Sequence, residues 1–456
     1  MSTSDYKQDA LKAKEKLAEV SPTMCLAKWN QTSLHLPTGL TNSCYHPPLH
    51  EMDAEAVKLN PAALHNTAEK MNQRQQMLQG EQPAGCSYCW NMEKTGEMSD
   101  RHYRSGEPWA MQDFEDIRKN PIDEHWTPRY VEVNFNNACN LKCSYCSPQF
   151  STTWGKEIDR YGQYPTSPPH NAPEHFQGRR KPIPNREDNP YVTAFWKWWP
   201  TLYKNLKHFR MTGGEPMMDK NTYKVLQYII DNPKKDLHLN VTSNMCPADK
   251  KLKDKYFNMA KHICMEEKVE HLMQFVSVDA WGKQAEYIRN GLDFNYMMDN
   301  VEEFLERIPV RNSITFICTY NNLSITSMDK LLEKILELRT KYSKTYQRVW
   351  FDVPLLRQPA WQQITLLPES YQGIHEDNIK YMQANSGEEN GLHIFKDFEI
   401  QKMQRNLAHW RENADASTQN KKNFYAFFNE HDRRRLTRFL NTFPEMEEFW
   451  EECKNA

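Results

Sequence analysis

Residues 139–146 read Cys-Asn-Leu-Lys-Cys-Ser-Tyr-Cys and directly follow a β-branched run at 130–135 that predicts a strand. The spacing is C-x3-C-x2-C, so three thiols lie on one short loop. Three such thiolates can hold three irons of a [4Fe–4S] cube, and no fourth cysteine follows nearby as it does in ferredoxins. One iron would then stay open, which indicates chemistry at the cluster. A zinc loop and inert buried thiols are the alternatives.

A second motif comes at the end of the next predicted strand. Residues 211–216 read Met-Thr-Gly-Gly-Glu-Pro. Gly213 and Gly214 let the backbone approach a ligand closely, and the Glu215 carboxylate can accept hydrogen bonds from an ammonium group. Taken alone, this motif is often only a turn. Its position one strand after the cysteine triplet makes it a predicted part of the same site.

Together the two motifs resemble the radical S-adenosylmethionine (SAM) superfamily. Its signature, C-x3-C-x-aromatic-C, is matched by Cys139, Cys143, Tyr145 and Cys146. The resemblance implies a [4Fe–4S] cluster on the three cysteines, with an open iron that chelates the amino and carboxylate groups of SAM. It also implies an external one-electron donor such as flavodoxin or ferredoxin. Reduction would cleave SAM to methionine and a 5′-deoxyadenosyl radical that abstracts a substrate hydrogen.

The same resemblance implies which residues contact SAM: Tyr145, Gly213, Gly214, Glu215, Ser243, Asn244, Asp279 and Arg289. Tyr145 would lie against the adenine, and the Gly-Gly-Glu motif would meet the amino group. Ser243, Asn244 and Asp279 end two later predicted strands, where family members place polar groups for the ribose and carboxylate. Asp279 could instead cap a helix. Arg289 could pair with the SAM carboxylate or be a surface arginine on a helix.

Strand and helix patterns alternate across residues 121–359. This alternation predicts parallel strands joined by right-handed crossovers, in an open sheet or a partial barrel. The resemblance implies the second, an α/β fold with a partial (βα)6 TIM-like barrel. Residues 147–189 interrupt this alternation with a Pro-rich sequence, which predicts a lid loop. A helix is predicted over residues 285–307. The predicted strands are 130–135, 208–211, 238–242, 273–278, 314–320 and 349–353.

A second group of cysteines lies nearer the N-terminus. Cys25 and Cys44 are separated by 18 residues, and a C-x2-C pair follows at Cys86 and Cys89. Four soft ligands can hold a zinc ion or a complete Fe–S cluster, and the spacing alone favours zinc. A helical stretch is predicted over residues 51–79, between the second and third cysteines.

This second pattern resembles the twitch domain, a shortened SPASM domain of radical SAM enzymes. The resemblance implies a hairpin between Cys25 and Cys44, and an auxiliary [4Fe–4S] cluster held by all four cysteines as an electron relay. The twitch domain usually follows the barrel, whereas here it would occupy residues 1–120 and precede it. Residues 360–456 look helical and charged and predict a C-terminal extension.

Composition excludes several classes of protein. Lys plus Arg is 58 and Asp plus Glu is 60, for a net charge of −2, which gives no electrostatic case for nucleic-acid binding. No apolar run approaches 18 residues, so no membrane-spanning helix is predicted. The first 20 residues are charged and lack the apolar segment of a secretory signal. The expected location is therefore the cytoplasm, where disulfides are disfavoured and the eleven cysteines suggest ligation.

The predicted function is a radical SAM oxidoreductase or modifying enzyme that oxidises or cross-links a peptide or protein side chain. The alternative within this class is a small-molecule substrate such as an aminosugar, a nucleoside or an amino acid. The alternative from another class is a non-catalytic, zinc-binding interaction protein.

Overall fold

The chain, described here by a computed structural model, divides into two compact units. The description covers residues 3–178, 181–388 and 391–456. The first unit comprises Met1–Asn137, Gly178–Gly213 and Lys234–Asn240, and the second comprises Ala138–Gln177, Gly214–Pro233 and Val241–Ala456. The strand Lys234–Ser243 therefore contributes residues to both units. The predicted domain limits at residues 120 and 359 stay a prediction.

The first unit contains a mixed sheet. Gln31–His35 pairs antiparallel with Leu40–Asn42 and parallel with Tyr130–Asn134, which in turn pairs parallel with His208–Thr212. A short strand, His50–Glu51, pairs with the far side of Leu40–Asn42. The antiparallel pair is the hairpin predicted between Cys25 and Cys44, so that prediction is confirmed.

The predicted helical stretch over residues 51–79 is confirmed, as two α-helices, Ala54–Leu59 and Ala68–Leu78, with a 3-10 turn, Pro61–Leu64, between them. Asn60 ends the first segment and caps a 3-10 turn that begins at Pro61, because proline lacks the N–H that would continue an α-helix. The helices of the first unit are Thr3–Ala18, Ala27–Asn30, Ala54–Leu59, Ala68–Leu78, Ser87–Lys94, Asp100–Gly106, Pro108–Met111, Phe114–Lys119 and Pro190–Asn205.

The second unit contains parallel strands. Asn312–Ile317 lies between Val269–Ser277 and Val349–Asp352 and pairs parallel with both. A separate two-stranded sheet joins Lys142–Cys143 antiparallel to Arg289–Asn290. All six predicted strands are present in the chain, and the fold is mixed α/β as expected. The partial barrel stays a prediction.

Two sequence predictions for the second unit need correction. The helix predicted over residues 285–307 is interrupted by Arg289–Asn290 and by Gly291, whose φ of +102° suits glycine. The predicted loop over residues 147–189 contains a helix, Thr152–Tyr161, which Ser151 caps. The helices of this unit are Thr152–Tyr161, Lys220–Asp231, Lys250–Met265, Gly282–Ile288, Phe294–Arg307, Met328–Tyr342, Gln372–Ala384, Asp397–Glu412, Thr418–Arg435, Phe439–Thr442 and Glu447–Asn455.

The predicted helical character of the C-terminal region is confirmed by its long helices. Within the described parts of the chain, none of the helices has the length and apolar character needed to cross a membrane.

Candidate functional site

The loop at residues 138–146, called the three-cysteine loop below, is held in place through Cys143 and Cys146. Cys143 lies opposite Arg289 in the short antiparallel sheet. The Cys146 amide donates to the Cys143 carbonyl at 2.9 Å, and the Trp154 indole donates to the same carbonyl at 2.9 Å. The loop is therefore a fixed turn that carries three free thiols, Cys139, Cys143 and Cys146.

The environment of these thiols favours their neutral form. Burial raises the pKa of Cys146 to about 12, and the nearby Cys143 adds to the shift. Burial also raises the pKa of Cys139, with further contributions from Cys143 and from Glu215. Because the thiols raise one another's pKa, they lie within electrostatic reach of one another. A bound metal centre would supply the positive charge that makes the thiolates favourable.

Two donors point at the sulfurs of the loop. The Leu141 amide donates to Cys139 Sγ at 3.4 Å, and Arg289 Nη1 donates to Cys143 Sγ at 3.6 Å. Hydrogen bonds to ligating sulfurs are one of the means by which proteins tune Fe–S centres. The donor set of the three-cysteine loop therefore fits the [4Fe–4S] cluster that the sequence predicts.

Three of the predicted SAM contacts bind one another. Arg289 Nη2 donates to Tyr145 Oη at 2.7 Å and to Asp279 Oδ1 at 2.9 Å. Tyr145 Oη donates to Asp279 Oδ2 at 2.8 Å. Asp279 is 0 % exposed and also accepts from the Thr319 amide at 3.0 Å. Asp279 and Arg289 are buried and Tyr145 is half-buried, and the three side chains form one network beside Cys143.

The structure decides between the alternative roles that the sequence left open for Asp279 and for Arg289. The cap of the helix Gly282–Ile288 is Trp281, so Asp279 is not a helix cap. Arg289 is buried and lies in a strand, so it is not a surface arginine on a helix.

Glu215 connects the end of the strand Lys234–Ser243 to the three-cysteine loop. Its carboxylate accepts from Ser243 Oγ at 2.8 Å, the Asn244 amide at 2.8 Å and the Met217 amide at 3.0 Å. Its own amide donates to the Ala138 carbonyl at 2.7 Å. Burial raises the pKa of Glu215, while these hydrogen bonds oppose the shift. Glu215 therefore fixes the positions of Ser243 and Asn244.

Sequence reasoning missed Asn140, which lies inside the cysteine motif. Its Nδ2 donates to the Cys246 carbonyl at 2.8 Å, and its Oδ1 accepts from Asn244 Nδ2 at 3.0 Å. The only signal in the sequence was its position next to Cys139. Through Asn140, the three-cysteine loop is bonded directly to a predicted SAM contact.

Gly213 directly follows the strand His208–Thr212 in the first unit and has a φ of +119°. A Cβ atom at this position would lie 2.0 Å from Asn134 Oδ1, so only glycine fits here. Gly214 follows it as the first residue of its segment in the second unit.

The four N-terminal cysteines share one cavity in the first unit. The cavity has a volume of about 30 Å³ and is lined by Cys25, Cys44, Cys86 and Cys89, with Lys28 and Arg101 among the other lining residues. The four thiols are free. The structure thus brings together residues that are up to 64 positions apart in the sequence, from residue 25 to residue 89.

The four-cysteine cavity offers four free thiols, which are soft ligands of the kind that zinc and Fe–S clusters use. Burial raises the pKa of Cys25 to about 12, with contributions from Cys44, Cys89 and Cys86. Ser43 Oγ and His46 Nδ1 border the cavity and are buried without a hydrogen-bond partner among the described residues. Across those same residues, no three His, Cys, Asp or Glu side chains converge closely enough to hold a single metal ion.

The chain has only remote similarity to known proteins. No protein-family model matches it, and no curated protein does. Among solved structures, Streptococcus suis SuiB is 14% identical, with 83% of this chain and 72% of SuiB covered and a TM-score of 0.38. SuiB bound to its precursor peptide SuiA is 13% identical, with coverages of 77% and 67% and a TM-score of 0.39. The structure of anSMEcpe with bound AdoMet and the Cp18Cys peptide is 14% identical, with coverages of 66% and 60% and a TM-score of 0.29.

Proposed function

We propose that the chain is a radical SAM enzyme whose second unit binds a [4Fe–4S] cluster and SAM. One observation carries the proposal: the three-cysteine loop is hydrogen-bonded to the residues predicted to contact SAM. Ala138 accepts from Glu215, Asn140 accepts from Asn244, and Cys143 accepts from Arg289. When bound, the cluster and SAM together supply a 5′-deoxyadenosyl radical, and the protein supplies placement and protection.

The residues of the loop have the task of holding the cluster. Cys139, Cys143 and Cys146 provide three thiolates, and the short antiparallel sheet keeps Cys143 against Arg289. The guanidinium of Arg289 is positively charged and bonded to Cys143 Sγ, so it favours the thiolate form that iron needs. Arg289 therefore acts as a positioning residue for the cluster.

The network beside Cys143 has the task of orienting SAM. Asp279 holds Arg289 and Tyr145 through both of its carboxylate oxygens. Tyr145 is thereby fixed through its hydroxyl, and its ring is proposed to contact the adenine. Ser243 and Asn244, held by Glu215, provide the hydroxyl and amide groups proposed to meet the polar parts of SAM.

The first unit is proposed to hold an auxiliary [4Fe–4S] cluster on Cys25, Cys44, Cys86 and Cys89. The supporting observation is that all four free thiols line one cavity. Such a cluster would supply electron transfer, so that the reaction could be a net oxidation. The proposed substrate is a peptide or protein side chain, which would be oxidised or cross-linked, as the resemblance to twitch-bearing enzymes implies.

SAM cleavage tests the proposed function. The chain is reconstituted anaerobically with iron and sulfide, reduced with dithionite, and assayed for 5′-deoxyadenosine. Formation of 5′-deoxyadenosine is expected in the wild type and in Cys453→Ala, which removes a buried thiol from the last helix. It is expected to be lost in Cys139→Ala. Equal activity in Cys139→Ala, or none in the wild type with a full cluster, would reject the proposal.

The substrate class is tested by mass spectrometry. A short peptide encoded beside the gene should lose two hydrogens when incubated with the reduced enzyme and SAM. Modification of an aminosugar, nucleoside or amino acid instead would move the assignment to the small-molecule alternative. Stoichiometric zinc without iron in the purified chain would favour the interaction-protein alternative.

A further inference from the structure

The helix Ala68–Leu78 buries a polar and positively charged face. Its buried residues are Lys70, Gln73, Arg74 and Met77, spaced i, i+3, i+4 and i+7. This spacing defines the inward face of a helix, which is ordinarily apolar. Lys70 and Arg74 are both 0 % exposed. The helix therefore directs two cations into the interior of the first unit.

A third buried cation, Lys28, belongs to the same group. Its side chain is 2 % exposed and donates to Gln73 Oε1 at 2.6 Å. Arg74 Nε and Nη2 both donate to the Lys28 carbonyl at 3.3 Å. Lys70 Nζ donates to Thr32 Oγ1 at 2.7 Å and to Thr41 Oγ1 at 3.1 Å, which joins it to both strands of the hairpin.

Within the described part of the chain, these three cations have no acidic partner of their own. No carboxylate among the described residues forms an ion pair with Lys28, Lys70 or Arg74; their hydrogen bonds go to neutral groups. The nearest acidic connection is indirect, since Gln73 Nε2 donates to Glu69 Oε1 at 2.6 Å. Asp123 acts on Arg74 only as a more distant charge. Unpaired buried charges are costly, and none of the described carboxylates offsets this cost, so a bound anion in the first unit would stabilise these side chains.

An anion bound in the four-cysteine cavity would lie next to these cations. Lys28 lines the cavity, and Thr41, bonded to Lys70, is three residues before Cys44. Arg74 is bonded to the carbonyl of Lys28, and Lys70 is bonded to the strand Leu40–Asn42, which leads to Cys44. The three cations therefore lie at or next to the wall of the cavity.

We propose that Lys28, Lys70 and Arg74 are the counter-charge of an anionic centre held by the four cysteines, and that they stabilise its reduced state. This inference rests on the proposed auxiliary cluster. Four thiolates carry four negative charges, which the iron–sulfur core only partly cancels, and reduction adds one more. Net charge around a cluster is a main determinant of its reduction potential. Removal of one cation should therefore make the centre harder to reduce.

Potentiometry of the reconstituted full-length chain tests this inference. Iron per chain is counted first, and the midpoint potential of each centre is then measured by electron paramagnetic resonance. Lys70→Met removes a charge and keeps a side chain of similar length. It is expected to shift the reduction equilibrium of one centre at least tenfold, which is about 59 mV toward more negative potential for one electron. The matched control, Lys253→Met in the second unit, should leave both potentials unchanged, because Lys253 is paired with Glu303 at 2.7 Å.

Each outcome gives a decision. Two clusters with unchanged potentials in Lys70→Met would overturn the counter-charge inference and leave the proposed function intact. One cluster in the wild type would reject the auxiliary cluster itself. Should Lys70→Met fail to fold, as judged by circular dichroism, Lys28→Met takes its place with the same expected shift. Thermal unfolding of the metal-free chain gives a second readout: Lys70→Met should be more stable than the wild type, because an unpaired buried charge has been removed.

Discussion

Arg289 and Asp279 form a buried ion pair, with Arg289 Nε 2.8 Å from Asp279 Oδ2 and Nη2 donating to Oδ1 at 2.9 Å. The Nε contact is electrostatic only, because its N–H is not aligned with an acceptor. Arg289 also faces Cys143, and its charge lowers the pKa of that thiol against the raising effect of burial. One carboxylate thus holds the cation that stands beside a proposed cluster ligand.

Breaking this pair should strongly destabilise the chain. Asp279→Asn keeps the shape of the side chain but leaves the Arg289 guanidinium, which is only 6 % exposed, without its counter-charge. The expected loss is about 3–5 kcal/mol of unfolding free energy. Tyr145→Phe removes only a hydroxyl from the same network and should cost less, about 1–3 kcal/mol. Urea unfolding of the metal-free chain followed by circular dichroism measures both. A loss below 1 kcal/mol in Asp279→Asn would contradict this account of the network.

Gly213→Ala should destabilise the chain through both backbone and steric strain. The φ of +119° disfavours any side chain, and the added Cβ would lie 2.0 Å from Asn134 Oδ1. A cost above about 3 kcal/mol is expected, since backbone strain alone accounts for 1–3 kcal/mol. Gly155→Ala is the matched control, because Gly155 lies within the helix Thr152–Tyr161 and a Cβ there meets nothing within 4 Å. It should gain roughly 0.5–1 kcal/mol. Similar thermal unfolding of the two variants would refute the proposed role of Gly213.

Glu215 should make stability fall as pH rises through the acid range. Burial raises its folded-state pKa above the ordinary value of 4.5, so the native state binds this proton more tightly than the unfolded state does. Its contribution is complete below the unfolded-state pKa and is lost as pH rises through the folded-state pKa. The difference in unfolding free energy between the wild type and Glu215→Gln, measured by urea titration from about pH 4 to pH 7, should therefore decrease with pH.

Glu303→Gln provides the control of opposite sign. Although burial raises the pKa of Glu303, hydrogen bonds from Lys253 and Arg307 lower it overall. Its contribution to stability is present above the unfolded-state pKa and is lost as pH falls. If both variants gave the same sign of pH dependence, the assignment of Glu215 as a buried, raised-pKa carboxyl would be wrong.

Much of the fold could be predicted from the sequence because the signals are local. The six strands are short β-branched and aromatic runs, whereas the hairpin between Cys25 and Cys44 was implied by the resemblance to the twitch domain. The breaks were harder to predict. Arg289–Asn290 is a two-residue strand that forms only because it pairs with Lys142–Cys143. The paired residues Cys143 and Arg289 are 146 positions apart in the sequence. No local pattern contains that information.

The residues of the candidate site could be predicted from the sequence, but the hydrogen bonds between them could not. The motif around Cys139 marked the loop, but the bonds from Asn140 to Asn244 and Cys246 arise from tertiary contacts. The buried charges on the helix Ala68–Leu78 could not be predicted from the sequence either. Lys70 and Arg74 look like ordinary surface residues in the sequence, and only their burial against the hairpin reveals an interior charge.

Iron content per chain tests the central claim most directly, because the account assigns seven cysteines to two clusters. After anaerobic reconstitution, the wild type should hold about eight irons, and Cys139→Ala and Cys86→Ala should each hold about four. Only Cys86→Ala should still release 5′-deoxyadenosine from SAM. A wild-type chain with about eight irons that Cys139→Ala retains, or a chain that binds zinc in place of iron, would contradict the account.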